Sequence, residues 1–149
     1  MLRLSKLTDY AVVVLVRLSR ADEVQTSPGI AAATGIPEPT VAKVLKALAG
    51  AGLVASQRGA RGGYRLTRPL GAIAVSDVIA AIDGPIALTA CVEGSSEHCG
   101  VEQLCSMRGN WNRVNRAIRD ALEDVTLADM AVPFAAAPVL EARPEQGLV

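Results

Sequence analysis

The feature that most constrains the fold is a helix-turn-helix pattern followed at once by a glycine-rich basic loop. Two short helices are predicted: the first starts at Ser27-Pro28 and ends at Gly35, and the second spans Pro39–Ala49. Helices in this order, joined by a tight turn, are typical of a helix-turn-helix. The loop Gln57–Gly63 then separates two segments of strand character, Leu53–Ser56 and Tyr64–Leu66. Glycine and arginine contribute little to a hydrophobic core, so the loop is predicted to be the exposed wing of a winged helix.

Amphipathic helices are predicted on both sides of this unit. Lys6–Ser19 and Val75–Ile82 have apolar residues at helical spacing, and Asn110–Val125 has a longer stripe. Thr8 and Asp9 are expected to cap the first helix, and a capping box over residues 126–129 is expected to start one more turn. Because the domain already has a core, the long last helix is predicted to be a dimer seam. The alternative is that it folds back on its own domain.

The predicted fold class is therefore mainly α: a winged helix-turn-helix with a two-stranded wing and a long C-terminal dimerisation helix. Four regions are expected along the chain. They are a DNA-binding domain at 1–83, a cysteine-bearing loop at 84–107, a dimerisation helix at 108–130 and a disordered tail at 131–149.

Charge is distributed unevenly along the chain. The formal net charge is zero, but residues 1–68 carry a net +6 and residues 69–149 a net −6. A basic half favours contact with a polyanion, although a solvated surface is the alternative interpretation of charge alone. Together with the helix-turn-helix and the wing, the charge predicts double-stranded operator DNA as a partner.

The predicted DNA contacts lie on the second helix of the pair, which enters the major groove in such proteins, and on the wing. The helix offers hydroxyl and ammonium groups to base edges and phosphate, and the wing offers guanidinium groups to phosphate or to the minor groove. The wing glycines are expected to permit close backbone approach and positive φ. A helix N-cap can present N–H groups to a phosphate, and an aromatic residue packs at the base of the wing. The predicted set is Ser27, Thr40, Lys43, Lys46, Arg58, Gly59, Arg61 and Tyr64.

Three cysteines, Cys91, Cys99 and Cys105, fall within one short polar window. An odd number of cysteines in a chain without a secretion signal argues against a disulfide framework. Thiolates in a short loop can converge on a soft metal at little entropic cost. An iron–sulfur cluster and a zinc ion with His98 as fourth ligand are both compatible with this spacing, as are free or redox-active thiols.

The order of these motifs resembles the IscR/NsrR/RirA family of winged-helix regulators. The resemblance is carried by Leu4–Ala11, Gly52–Val54, Arg58–Tyr64, the cysteine triplet before a long helix, and Thr126–Asp129. It extends over about residues 1–130 and is greatest to regulators of the SUF cluster-assembly operon. The resemblance implies a homodimeric repressor of iron–sulfur cluster assembly genes. Each subunit would bind a 2Fe–2S or 4Fe–4S cluster through the three cysteines, and cluster occupancy would alter operator affinity.

The resemblance leaves the fourth cluster ligand open. Members of the IscR type have a histidine three residues after the third cysteine, and this chain has Arg108 there, which cannot ligate. Nitric-oxide-sensing members use an aspartate near the start of the first helix of the other subunit, a position that Asp9 matches. His98 and Glu102 are the candidates within the cysteine loop itself.

Three further expectations concern function class and compartment. Without an apolar run long enough to span a bilayer, the chain is expected to be cytoplasmic and free of membrane contact. Without a nucleophile–base constellation, it is not expected to be an enzyme. A nitric-oxide- or iron-responsive regulator and a zinc-stabilised winged-helix interaction module are the alternative functions.

Overall fold

The structure is a computed structural model that describes residues 2–133. Over this range the chain forms helices and one two-stranded antiparallel sheet, which confirms the prediction of a mainly α winged helix. In chain order the elements are α1 (Lys6–Ser19), α2 (Ser27–Thr34), α3 (Glu38–Gly50), β1 (Val54–Gln57), β2 (Gly63–Leu66), α4 (Val75–Asp83), α5 (Asn110–Glu123) and α6 (Leu127–Met130). Short 3-10 turns lie at Leu70–Ala72 and Glu102–Leu104. Most of the predicted tail, residues 134–149, lies outside the described residues.

The core is formed by the apolar faces of α1, α3 and α4, which pack against one another. These faces repeat at helical spacing and are almost completely removed from solvent, as in Ala11, Val14 and Leu15 of α1 and Val41, Val44 and Leu45 of α3. With so few aromatic residues in the chain, branched aliphatic side chains and alanine fill this space. The helix α3, which is predicted to enter the major groove, is therefore fixed to α1 by close packing.

The two helix caps predicted near the start of the chain were wrong. Ser5, not Thr8 or Asp9, caps α1, because the Ser5 hydroxyl accepts a hydrogen bond from the backbone N–H of Thr8 at 3.2 Å. Thr8 is instead buried, at 1% exposure, and its hydroxyl donates to Oδ2 of Asp83 at 2.8 Å. Ser5 also donates to the same carboxylate at 2.9 Å. These contacts join the start of α1 to the end of α4.

The C-terminal segment returns to the winged-helix core. The Val75 N–H donates to the Val125 carbonyl at 2.9 Å, and the Leu127 N–H donates to the Ile73 carbonyl at 2.9 Å. Val125, predicted to be helical, lies beyond the end of α5 because its carbonyl takes part in this pairing. The capping box at Thr126 and Asp129 is confirmed by reciprocal bonds of 2.9 and 3.3 Å. Leu127 is fully buried, so α6 is part of the core.

Candidate nucleic-acid interface and cysteine loop

The recognition helix α3 divides into a buried face and an exposed cationic face. Lys43 and Lys46 are exposed and Thr40 is half-buried. Positions 41, 44, 45 and 48 of the same helix are buried in the core. Because the buried face is fixed, the two ammonium groups are directed to solvent on the opposite side. This placement is what a major-groove contact requires.

The wing places two arginines at an exposed tip. Arg58 and Arg61 are exposed on either side of Gly59, whose φ of 113° is in the region that favours glycine. The expectation of positive φ at Gly62 and Gly63 was wrong, since neither has positive φ. The other part of the expectation, close approach of backbone, is confirmed for both. A Cβ at Gly62 would collide with the Gln57 carbonyl oxygen, and one at Gly63 would lie 2.6 Å from the carbonyl oxygen of Gln25.

The base of the wing is tied to the linker between α1 and α2. The Gln25 N–H donates to the Tyr64 carbonyl at 2.9 Å, and the Tyr64 N–H donates to the Gln25 carbonyl at 2.7 Å. Tyr64 is half-buried against the core, as a packing residue would be. The pairing adds a one-residue bridge beside the predicted hairpin. Nothing in the local sequence around Gln25 signals it, because the partner is distant along the chain.

The start of α2 lies beside the wing. Thr26, not Ser27, is the N-cap: its hydroxyl oxygen accepts from the Gly29 N–H at 3.1 Å, which corrects the sequence prediction. The Ser27 hydroxyl is buried and has no hydrogen-bond partner among the described residues. Thr26 and Arg61 line the same shallow depression. The N-cap residue of α2 and a wing arginine thus border one depression, which Glu23 also lines. Helix N-termini and arginine side chains are both groups that bind phosphate.

The cysteine loop joins α4 to α5 and carries three free thiols, each partly exposed. Asn115 of α5 binds its first part: Oδ1 accepts from the Leu88 N–H at 2.9 Å, and Nδ2 donates to the Ile86 carbonyl at 3.0 Å. Asn112 binds the Glu93 N–H through Oδ1 at 2.8 Å. Neither asparagine was predicted from the sequence, because a polar residue on an amphipathic helix ordinarily faces solvent.

The chemistry of the three donors fits an iron–sulfur cluster, because thiolates are its usual ligands and all three are free. In residues 2–133, however, no three side chains of the His, Cys, Asp and Glu types are gathered in a group that could hold a metal ion. Asp9 and His98 are both exposed. Glu102 faces Arg108, with Oε1 3.5 Å from Nε. The ligand set therefore stays a prediction.

The helix α5 packs against its own domain through only part of its apolar stripe. Leu122 is partly buried against the core, and the helix contacts α4. Trp111 and Val114, nearer its start, are 45% and 43% exposed. The fold-back interpretation is thus correct for the C-terminal part of α5, and the N-terminal part presents an uncovered apolar face in this single chain.

A winged helix with a cationic recognition helix and a basic wing tip is typical of a DNA-binding protein. The profile of the Rrf2 family, described as an iron-dependent transcriptional regulator, matches residues 4–133. The chain belongs to this family, which confirms the resemblance seen in its motifs, and it is a transcriptional regulator and not an enzyme. In the described part of the chain, no helix has the length and apolar character needed to cross a membrane.

Individual relatives agree with this assignment. A Mycobacterium tuberculosis protein named as a candidate HTH-type transcriptional regulator, Rv1287, is 35% identical over 133 residues, covering 87% of this chain and 81% of its own. Protein aau3 of Rhizobium meliloti is 32% identical over 130 residues, covering 87% and 84%. Among solved structures, CymR, the global cysteine regulator of B. subtilis, has a TM-score of 0.66 at 29% identity and covers 88% of this chain and 97% of its own. T. potens IscR has a TM-score of 0.61 at 30% identity, covering 87% and 85%.

Proposed function

We propose that this regulator is a homodimeric repressor of iron–sulfur cluster assembly genes whose operator affinity is controlled by a cluster on Cys91, Cys99 and Cys105. The observation that carries the proposal is the attachment of the loop bearing three free thiols to α5. A change in the loop is thereby passed to the helix that would join the two subunits. The likeness to T. potens IscR supports the same conclusion.

DNA binding would use two surfaces of each subunit. Thr40 and Lys43 at the start of α3 would contact base edges, and Lys46, one turn later, would contact phosphate. Arg58 and Arg61 would contact phosphate or the minor groove, where the potential is most negative. The N-terminus of α2, beside Arg61, would contact a further phosphate. Phosphate contacts fix the position of the protein on the duplex, and the contacts of α3 select the sequence.

The dimer would form through the exposed apolar part of α5. Trp111 and Val114 form an exposed apolar pair on α5, and a second copy of α5 would cover them. The charges along α5 favour an antiparallel pair. Its first part carries only basic charges and its last turn mainly acidic ones, so antiparallel helices would place opposite charges together.

The cluster, when bound, would supply an oxygen-sensitive group whose presence reports iron–sulfur supply. The chain's own contribution is to order the loop around three thiolates and to provide a fourth ligand. Asp9 is our first choice, since it is exposed on the first turn of α1 and so accessible to the loop of a partner subunit. His98, exposed within the loop, is the second.

The experiment that tests this proposal is purification without oxygen, followed by an absorption spectrum with iron and sulfide analysis. We expect a brown protein with iron and acid-labile sulfide in comparable amounts, and a different operator affinity after the cluster is removed. Cys99→Ala should lose the chromophore and remain dimeric. A colourless wild type that contains zinc would refute cluster control and leave the DNA-binding assignment intact.

A second candidate function is sensing by the thiols themselves. It is favoured by the partial exposure of all three cysteines and by the likeness to Staphylococcus aureus CymR, solved in an oxidized form at 26% identity. In that case the protein purified without oxygen would hold no iron. A mild oxidant would reduce the number of titratable thiols and change operator affinity together.

A further inference from the structure

The residue of α5 that is most deeply buried is an asparagine. Asn115 is 3% exposed, whereas its neighbours on the apolar stripe are half-buried or exposed. Asparagine is a weak helix former, and a buried amide without partners is costly. Here the amide is satisfied by the peptide groups of Leu88 and Ile86, one as donor and one as acceptor. The side chain thus accepts from one backbone N–H of the loop and donates to one backbone carbonyl, as the backbone of a paired strand does.

A second asparagine extends this attachment. Asn112, one turn earlier on the same face, accepts from the Glu93 N–H at 2.8 Å. Cys91 lies between the loop residues that the two side chains bind, and its neighbour Val92 is 5% exposed. The backbone is therefore held on both sides of Cys91. We call Asn112 and Asn115 the asparagine clasp.

The rest of the loop is held differently. The hydrogen bonds described for residues 94–107 join near neighbours in sequence, as in the bond from the Glu102 N–H to the Cys99 carbonyl at 3.3 Å. Cys99 and Cys105 thus lie in a segment built from local turns. Of the three cysteines, Cys91 is the one that lies between loop residues bound by Asn112 and Asn115 of α5.

We infer that the asparagine clasp positions Cys91 as the fixed ligand of the proposed cluster, onto which Cys99 and Cys105 close. This rests on the proposed function. Fixing one ligand in advance lowers the conformational entropy lost when the metal binds, so affinity should fall when the clasp is removed. The clasp also joins the backbone on both sides of Cys91 to α5 by hydrogen bonds.

The two members of the clasp use different atoms, and this gives a sharp test. Asn112 uses only its carbonyl oxygen, so an aspartate at position 112 keeps the acceptor. Asn115 uses both its oxygen and its amide nitrogen, so an aspartate there loses the donor and buries a charge. Asn112→Asp should therefore preserve metal binding, and Asn115→Asp should not.

The experiment compares Asn112→Asp, Asn112→Ala, Asn115→Asp and Asn115→Ala with the full-length wild type, and uses Arg113→Gln as an exposed control on the same helix. Apo-protein is titrated with cobalt(II), whose thiolate absorption reports binding, and is separately reconstituted with ferrous iron and sulfide. We expect the Asn112→Ala, Asn115→Ala and Asn115→Asp variants to lose about tenfold to a hundredfold in cobalt affinity. Asn112→Asp and Arg113→Gln should match the wild type.

Amide hydrogen exchange on the apo-protein supplies a readout independent of metal. The Leu88 amide should be protected in the wild type and exchange faster in Asn115→Ala, and the Glu93 amide should respond to Asn112→Ala. An unprotected Leu88 amide in the wild type would show that the clasp does not form. Loss of protection without loss of cobalt affinity would show that the clasp has no role in positioning Cys91.

Failure of the proposed function would look different from failure of the clasp. A wild type that binds neither cobalt nor a cluster overturns the metal site, and this inference with it, even if both amides are protected. If Asn115→Asp does not fold, the comparison of Asn112→Ala with Asn112→Asp still decides. Equal cobalt affinity in that pair would overturn the inference.

Discussion

The attachment of the wing to the α1–α2 linker depends on one glycine, and Gly63→Ala tests it. A Cβ at position 63 would lie 2.6 Å from the Gln25 carbonyl oxygen and 2.8 Å from its carbonyl carbon. Both are backbone atoms, so no change of rotamer can relieve the collision. The strand must move away from Gln25, which breaks the two hydrogen bonds between Gln25 and Tyr64.

The expected loss of stability follows from those two bonds. At about 1 kcal/mol each, the free energy of unfolding should fall by about 2 kcal/mol. For a protein of this size the melting temperature should then fall by about 4–8 °C. Gly50→Ala is the matched control, because Gly50 has ordinary helical backbone angles and nothing within 4 Å of the added Cβ. That variant should be neutral or more stable by about 0.5 kcal/mol.

The displaced wing should also weaken DNA binding. Arg58 and Arg61 both lie on the wing tip, and each phosphate contact contributes about 0.9 to the slope of log affinity against log salt concentration. Anisotropy titrations of a random duplex at several salt concentrations should therefore give a slope for Gly63→Ala that is lower by up to about two units. Urea unfolding followed by circular dichroism measures the stability. A Gly63→Ala protein with the wild-type unfolding midpoint and the wild-type slope would refute the reasoning.

Three other substitutions test separate parts of the structure. Arg61→Ala should weaken binding similarly across DNA sequences and lower the salt slope by about one unit, whereas Arg113→Ala, an equal loss of charge on α5, should leave it unchanged. Asp83→Ala should lower the free energy of unfolding by about 1–3 kcal/mol, because the buried Thr8 hydroxyl loses its acceptor; an unchanged urea midpoint would show that Thr8 finds another partner. Val114→Asp should convert the dimer to a folded monomer in size-exclusion chromatography with light scattering, and a dimer of unchanged stability would exclude this face of α5 as the seam.

Much of the fold followed from local sequence. Helical spacing of apolar residues located α1, α3 and α4 to within one or two residues, because the buried face of a helix repeats with the helix period. The glycine-rich stretch over residues 57–63 located the wing, because an exposed hairpin tip is also a local feature. Its glycine and arginine residues are of types that rarely pack in a hydrophobic core. The exposed cationic residues of α3 and the wing were predicted from the same two patterns.

Two of the errors arose where residues distant in sequence decide the outcome. Ser5 and Thr8 are both plausible caps for α1 by composition, and only the position of Asp83 explains why Thr8 is buried and bonded across to α4. The requirement for glycine at 63 likewise comes from Gln25, nearly forty residues earlier, and not from a turn.

The sequence by itself determined the winged helix, its cationic face and the clustering of three cysteines, because each depends on the order of residues over a short span. Tertiary structure decided how these parts are joined. The wing is held by Gln25, α1 is held to α4 by Asp83, and the loop around Cys91 is held to α5 by Asn115. Each of these contacts is a hydrogen bond between polar groups far apart in the chain. A polar residue has the same character in the sequence whether it faces solvent or a distant peptide group, and only packing of the apolar faces brings its partner within reach.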